Sequence, residues 1–285
     1  LEQGQFKQAL SQSQQAHTVF QLLNDKKGMA SALNTIGATY YNLKEFDLAI
    51  KNYEEALQIR KEIDDKNGIA LCLNNLANVY SDRNQYDKAI EYLKNALEIK
   101  KLIGNNQSIA KTLNNIGTTY VEMGDFQQAT TYFLEALEMK KVSNDKKGMI
   151  SSLANLGVVS SKQGKPDKAI EYYNRAYQLG KEIGTSGSMK DVCQALGKLY
   201  FDRGDAAKAY FFTHQYAEIQ DSLFSVQMGE SMAEMQAKFD VVQAEQNAEQ
   251  ERLKAAEERE HRDADNFRSG IIIVGAVVVM LIISV

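Results

Sequence analysis

The sequence predicts an all-α protein: an α-solenoid of helix-turn-helix hairpins with a 40-residue period, followed by a long coiled-coil helix and a transmembrane helix. Three observations predict it. The stretch from Leu113 to Lys141, LNNIGTTY then GDFQQATTYFLEALEMKK, recurs without gaps in two upstream and two more worn downstream copies, each one period apart. Such a period marks units that bury an apolar face only by stacking on the next. Within each unit the recurring apolar residues stand three and four apart, the spacing of one helix face. The chain also holds only 1 Pro, so the commonest helix breaker is nearly absent.

The recurring slots alternate in size. Leu33, Leu73, Leu113 and Leu153 share one, and Ile36, Leu76, Ile116, Leu156 and Leu196 the next. Gly37, Ala77, Gly117, Gly157 and Gly197 fill a small one, with Tyr40, Tyr80, Tyr120 and Tyr200 three residues on. In the second half of each unit come Ala49, Ala89, Ala129, Ala169 and Ala209, then Tyr53, Leu93, Phe133 and Tyr173, then Ala56, Ala96, Ala136 and Ala176. Large residues opposite small ones let two helices approach closely and interlock.

Taken in order, residues 1–24 fit the second helix of a repeat whose first helix is cut away, because Phe6, Ala9, Ala16 and Val19 occupy the slots of Phe46, Ala49, Ala56 and Ile59. Full units follow at 25–64, 65–104, 105–144 and 145–184, and a degenerate terminal unit at 185–224. Each opens on a residue suited to cap a helix: Asp25, Asp65, Asn105, Asp145 and Thr185. First helices are expected to end near Asn42, Asp82, Glu122, Lys162 and Asp202, and second helices to begin near Phe46, Tyr86, Phe126, Pro166 and Ala206. Pro166 suits a first helical turn, where its missing donor costs little. Asp47, Asp87 and Asp167 favour the positive end of the helix dipole. The terminal unit carries Tyr210, Thr213, Tyr216 and Ala217 in place of the usual second-helix residues, as an end unit with an altered outer face requires.

Over 225–268 the period changes to seven. Met228, Met232, Met235, Phe239, Val242, Gln246, Glu249, Leu253 and Ala256 follow alternating steps of four and three, a coiled-coil seam that predicts a parallel homodimer through 228–256. The alternative is a single charged helix whose Met face docks on the last repeat. Residues 269–285 hold GIIIVGAVVVMLIISV, uncharged and still apolar at Val285, which reads as a transmembrane helix cut short and attaches the chain to a membrane.

Composition excludes other classes. A net charge of −4, with Lys and Arg interspersed among Asp and Glu, gives no basic patch for nucleic acid. Cys72 and Cys193 read as small apolar packing residues of first helices. His17, His214 and His261 have no metal-ligand spacing, and no glycine loop cradles phosphate. No enzyme activity, catalytic residue, cofactor or metal is expected within these residues.

Small-x-x-Tyr, then Ala-x-x-x-aromatic-x-x-Ala twelve residues on, resembles the tetratricopeptide repeat (TPR). The aromatic signature position is Leu here, and Lys61, Lys101, Lys141 and Lys181 stand where the closing Pro usually does, so the second helices can run longer. The 40-residue spacing is similar to the long-helix variety of kinesin light chains and bacterial peptide-sensing regulators. The resemblance implies a right-handed superhelix whose concave wall is lined by first-helix side chains and grips a peptide or protein segment. Carried onto this chain, that groove comprises Asn34, Tyr41, Asn74, Asn78, Asp82, Lys111, Asn114, Thr118, Glu122, Lys162, Gln194 and Lys198. The ladder Asn34, Asn74, Asn114 can pair with a peptide backbone, or the amides, with Asn75, Asn115 and Asn155 beside them, can bond between repeats.

Repeats, charged helix and single span in this order resemble bacterial membrane-anchored regulators whose output is a histidine kinase or a helix-turn-helix domain. That implies a signal-transduction sensor, single-pass, with repeats periplasmic and an output domain beyond Val285. The alternative is a tail-anchored TPR adaptor on the cytoplasmic face.

Overall fold

The computed structural model describes the backbone of residues 2–185 and 187–283, and the side chains of 6–185, 187–256, 258, 259 and 262. Among them all regular structure is helical: α1 Glu2–Leu22, α2 Lys26–Asn42, α3 Phe46–Glu62, α4 Lys66–Asp82, α5 Tyr86–Ile103, α6 Asn106–Met123, α7 Phe126–Val142, α8 Lys146–Lys162, α9 Pro166–Ile183, α10 Lys190–Asp202 and α11 Ala206–Ile283, with a 3₁₀ turn at Gly187–Met189. Leu1–Gln220 form one unit and Asp221–Val285 a second.

In the first unit α2 pairs with α3, α4 with α5, α6 with α7 and α8 with α9, and each second helix packs on the next first helix. Successive first helices also meet, α2 with α4 and α6 with α8, so they form a shared wall. The even-sized step follows from the turns. Asn24, Lys44, Asp64, Asn84, Gly104, Gly124, Asn144, Gly164, Gly184 and Gly204 all have positive φ, one at the end of every helix from α1 to α10. A left-handed residue here closes the helix and turns the chain back, which explains how hairpins form without the usual Pro.

Capping follows the sequence at four of five positions. Asp25, Asp65, Asn105 and Asp145 accept the N–H of Gly28, Gly68, Ser108 and Gly148 at 2.8–3.0 Å. Thr185 does not cap a helix. The chain makes the 3₁₀ turn first, and α10 starts at Lys190, capped by Met189 without a side-chain bond. The reason lies one helix back: the slot of Arg60, Lys100 and Lys140 is Gly180 in this unit, and Met189 fills the space, its Cγ only 2.5 Å from where a Gly180 Cβ would sit.

The core runs through the hairpins, with Ala49, Ala89, Ala129, Ala169, Leu113, Ile116 and Phe133 at 0–1 % exposure. Cys72 and Cys193 are buried free thiols at 0 % exposure, and burial pushes both up to about 11. In the terminal unit the buried stripe shifts by one position. Phe212, not Thr213, packs inward, stacked on Tyr200 at 5.7 Å and edge-on to Tyr177 at 5.2 Å.

In the second unit every described side chain is exposed, Met228, Met232, Met235, Phe239, Val242 and Leu253 among them. Among the described residues no helix is long and apolar enough to cross a membrane. The apolar run 270–285, on which the transmembrane assignment rests, lies outside the described side chains.

Candidate functional site

The wall of first helices carries the residues expected to bind. Of these, Asn78, Asp82, Lys111, Thr118, Glu122, Lys162, Gln194 and Lys198 are exposed, Asn34, Tyr41 and Asn114 are half-buried, and Asn74 is buried. The amide ladder is tied into the fold by its oxygens. Asn34 Oδ1 accepts Asn75 Nδ2 at 2.8 Å, Asn74 Oδ1 accepts the Thr112 hydroxyl at 3.4 Å, and Asn114 Oδ1 accepts the Ser152 hydroxyl at 3.1 Å. Every one of these bonds joins neighbouring repeats. Asn74 also donates to the Ala70 carbonyl at 2.6 Å, which closes it off from the wall. Asn34 and Asn114 keep their NH₂ ends, which find no protein acceptor among the described residues, so those two rungs offer donors only. We predict that Asn74→Ala lowers stability by about 1–2 kcal/mol, the cost of breaking a buried amide's bonds. Asn114→Ala costs less; urea midpoints of the two variants check the difference.

The polarity of the amides has a source the sequence reading did not single out. Arg60, Lys100 and Lys140 recur at the repeat period and continue the buried stripe of Ala49, Tyr53 and Ala56 at the next helical step. Arg60 is 7 % and Lys140 5 % exposed. Each is held by the next unit: Arg60 pairs with Asp65 at 2.8 Å, Lys100 donates to Thr112 at 2.6 Å and Lys140 to Ser152 at 2.9 Å. Gly68 makes room for the first, since a Cβ there would stand 1.8 Å from Arg60 Nη1. A hydroxyl that accepts from an ammonium turns its own proton the other way. Ser152 therefore donates to Asn114, a relay from second helix to first helix to the preceding first helix, whereas the single Thr112 proton has two acceptors in reach, the Ser108 carbonyl at 3.2 Å and Asn74 Oδ1 at 3.4 Å. The signal was present in the sequence as a period-40 cation on an apolar stripe.

Burial, with Lys111 adding to it, lowers Lys100 to about 8; burial lowers Lys140 to about 8 against the pull of Asp145. At the C-terminal ends of α4 and α6 the sign reverses. Ser81 donates to Glu122 at 2.6 Å, Lys44 stands 3.5 Å from Asp82, and burial followed by the neighbouring Asp82 pushes Tyr41 up to about 12.

Two clefts gather some of these residues. Lys111 and Asn114 line one of about 510 Å³ between α6 and α8, with Lys140 in its lining. Gln194 and Lys198 line another of about 410 Å³ between α8 and α10, with Ala154 and Val158. Asn34, Tyr41, Asn78 and Asp82 line neither. Among the described residues no group of His, Cys, Asp and Glu is placed to hold a metal.

The sequence model of the tetratricopeptide repeat matches residues 1–62, 28–102, 70–142 and 108–182. No curated protein matches the sequence. Among solved structures, BtubC from P. vanneervenii has a TM-score of 0.68 at 21% identity, over 76% of this chain and 92% of its own. A Rap protein complexed with competence and sporulation factor has a TM-score of 0.55 at 20% identity, over 79% and 72%. The putative kinesin light chain of Podosopora anserina, with nearly identical TPR-like repeats, has a TM-score of 0.56 at 15% identity, over 68% and 95%. At these identities the likeness concerns the fold. Gapless repeats, hairpins in that register and a family match from residue 1 to 182 place this chain in the tetratricopeptide repeat family.

Proposed function

We propose that this chain is the ligand-binding part of a sensor, whose repeats hold a peptide or protein segment along the wall of first helices. One observation carries the reading: the second-helix stripe is spent on packing, whereas the first helices turn the polar side chains of Asn78, Thr118 and Lys198 to solvent at one recurring slot, with the exposed Val158 between the last two. Tied amide oxygens and free NH₂ ends suit the carbonyls and carboxylates of an extended chain. A Rap protein of this fold has been solved with a bound factor, which is consistent with that use.

The test is selection of random heptapeptides on the full chain. Peptides that bind the folded protein and lose binding on Asn78→Ala with Thr118→Ala, at unchanged melting temperature, support the reading. Failure to enrich any peptide contradicts it.

On the same reading the chain is single-pass, anchored by 269–285 with its repeats outside the inner membrane, and dimerises in parallel through 228–256. An output domain of the histidine kinase or helix-turn-helix type would follow residue 285. Support comes from the exposed seam of Met228, Met232, Met235, Phe239 and Val242 and from the apolar run in the sequence. Occupancy of the wall would then bias two helical arrangements that differ in ligand affinity. Sedimentation velocity in detergent tests the dimer: mass rising to two chains over a concentration series is expected, and one chain throughout sinks it.

A further inference from the structure

One aromatic slot of the repeat is emptied in the fourth unit. Near the ends of their first helices, Tyr80, Tyr120 and Tyr200 each stack on a ring of the following second helix. Tyr80 meets Tyr92 at 5.3 Å, Tyr120 meets Tyr132 at 5.5 Å and Tyr200 meets Phe212 at 5.7 Å, all within 15° of parallel. The fourth unit keeps the second-helix ring, Tyr172, but carries Ser160 where the first-helix ring belongs. Lys168 loses its seat with it. Its slot mates Lys88 and Lys208 hold their ammonium groups over Tyr80 and Tyr200 at 5.2 and 5.0 Å, a cation–π contact for which the fourth unit offers no first-helix ring.

The lost ring leaves a cleft of about 260 Å³ bounded by α7, the end of α8 and the start of α9, with Ser160, Tyr172 and Lys168 in its lining. None of the residues assigned to the wall of first helices belongs to it. A cavity of about 150 Å³ already takes up benzene, so this volume holds a substituted ring. Ser160 is only 6 % exposed, and its hydroxyl has no hydrogen-bond partner among the described residues. A buried hydroxyl left unpaired costs free energy that a bound acceptor recovers. Arg175, 5.9 Å from the Tyr172 ring, lies outside the lining.

The charge of the cleft is one-sided. Lys165 and Lys168 both line it, no lining residue is acidic, and neither lysine has a carboxylate within 4.0 Å among the described residues. Lys165 donates to Gln163 Oε1 at 2.9 Å, which leaves that amide with donors. At the matching edges of other units Asp47 pairs with Arg83 at 2.6 Å and Asp167 with Arg203 at 2.9 Å. Here Gln127 and Gln163 occupy those two slots, so the acid is missing. The start of α9 adds the positive end of its dipole.

We infer that this cleft binds a small planar aromatic anion, its ring stacked on Tyr172 in the place of the missing tyrosine, its charge met by Lys165 and Lys168 and its polar edge by Ser160. The site is separate from the wall and does not depend on peptide binding there.

Titration of 4-hydroxyphenylacetate into the full chain, followed by ligand NMR, tests it, with 4-hydroxyphenylacetamide as the neutral control and cyclohexylacetate as the non-planar one. The aromatic acid is expected to bind saturably and at least tenfold tighter than either control. Ser160→Tyr rebuilds the stack, so it should raise the melting temperature and abolish binding. Lys165→Ala with Lys168→Ala, both at exposed positions, should weaken binding at least tenfold with the fold unchanged, and this variant decides the matter even if Ser160→Tyr does not fold. Lys111→Ala, on the wall, should leave the affinity unaltered. No saturable binding by the native chain, controls that bind as well as the aromatic acid, binding that survives Ser160→Tyr or the lysine changes, or a loss on Lys111→Ala overturns the inference.

Discussion

Replacing Gly117 with alanine is expected to lower stability by about 1–3 kcal/mol, the cost of overpacking a filled core. An added Cβ would stand 2.6 Å from the Phe133 ring, which is 1 % exposed and has no free space to enter. The chain itself supplies the remedy. Glycine faces an aromatic ring at Gly37 with Tyr53, Gly117 with Phe133 and Gly157 with Tyr173, each ring within 2.8 Å of the added atom. Where the slot holds Ala77, the residue in register with those rings is Leu93. Gly117→Ala combined with Phe133→Leu recreates that second pairing. The double variant is expected to recover most of the loss, although Phe133→Leu alone also destabilises by opening a cavity. Urea midpoints of the four proteins give a coupling energy of about 1 kcal/mol or more in favour of the matched pair. Additive losses contradict knob-and-hole pairing between the slots.

Stability is expected to rise between pH 7.5 and 9 and to fall above about pH 10. Lys100 and Lys140 are lowered from 10.5 to about 8 in the folded chain, chiefly by burial. In that window the unfolded chain binds more protons, so stability increases with pH. Cys72 and Cys193 act oppositely. Their folded values of about 11 lie above 9.0, so unfolding is favoured increasingly from pH 9. Tyr41, Tyr53 and Tyr173, raised from 10.0 to about 12, add to that loss above pH 10. With each pKa unit worth 1.36 kcal/mol, the two lysines less the onset of the cysteines give a rise of about 2 kcal/mol by pH 9. Denaturant titrations across pH 7–11 measure it, and Lys100→Met with Lys140→Met should remove the rise. A profile that is flat from 7.5 to 9 would mean that these ammonium groups are hydrated.

The helical frame was legible because the repeat is gapless and every helix is closed by its own turn. Second helices begin at Phe46, Tyr86, Phe126, Pro166 and Ala206, as the period requires. The start of the fifth unit was not legible, since nothing near Thr185 signals that Gly180 leaves a space and that Met189 fills it. Asn74 was recognisable as a ladder residue but not as a buried one. Thr112, 38 residues on, covers its oxygen at 3.4 Å, while its nitrogen is bonded to the Ala70 carbonyl at 2.6 Å. Asn34 is tied by Asn75 and Asn114 by Ser152, so the ladder alone suggested donor and acceptor where two rungs offer donors. Arg60, Lys100 and Lys140 escaped notice because their partners lie on the following unit.

The central claim is that the first helices, not the second, make the binding wall. A library-selected peptide carrying benzoylphenylalanine at each position in turn, photo-cross-linked to the full chain and mapped by mass spectrometry, tests it most directly. Cross-links on α6, α8 and α10, around Thr118, Val158 and Gln194, are predicted. Cross-links confined to α5, α7 and α9 would contradict it.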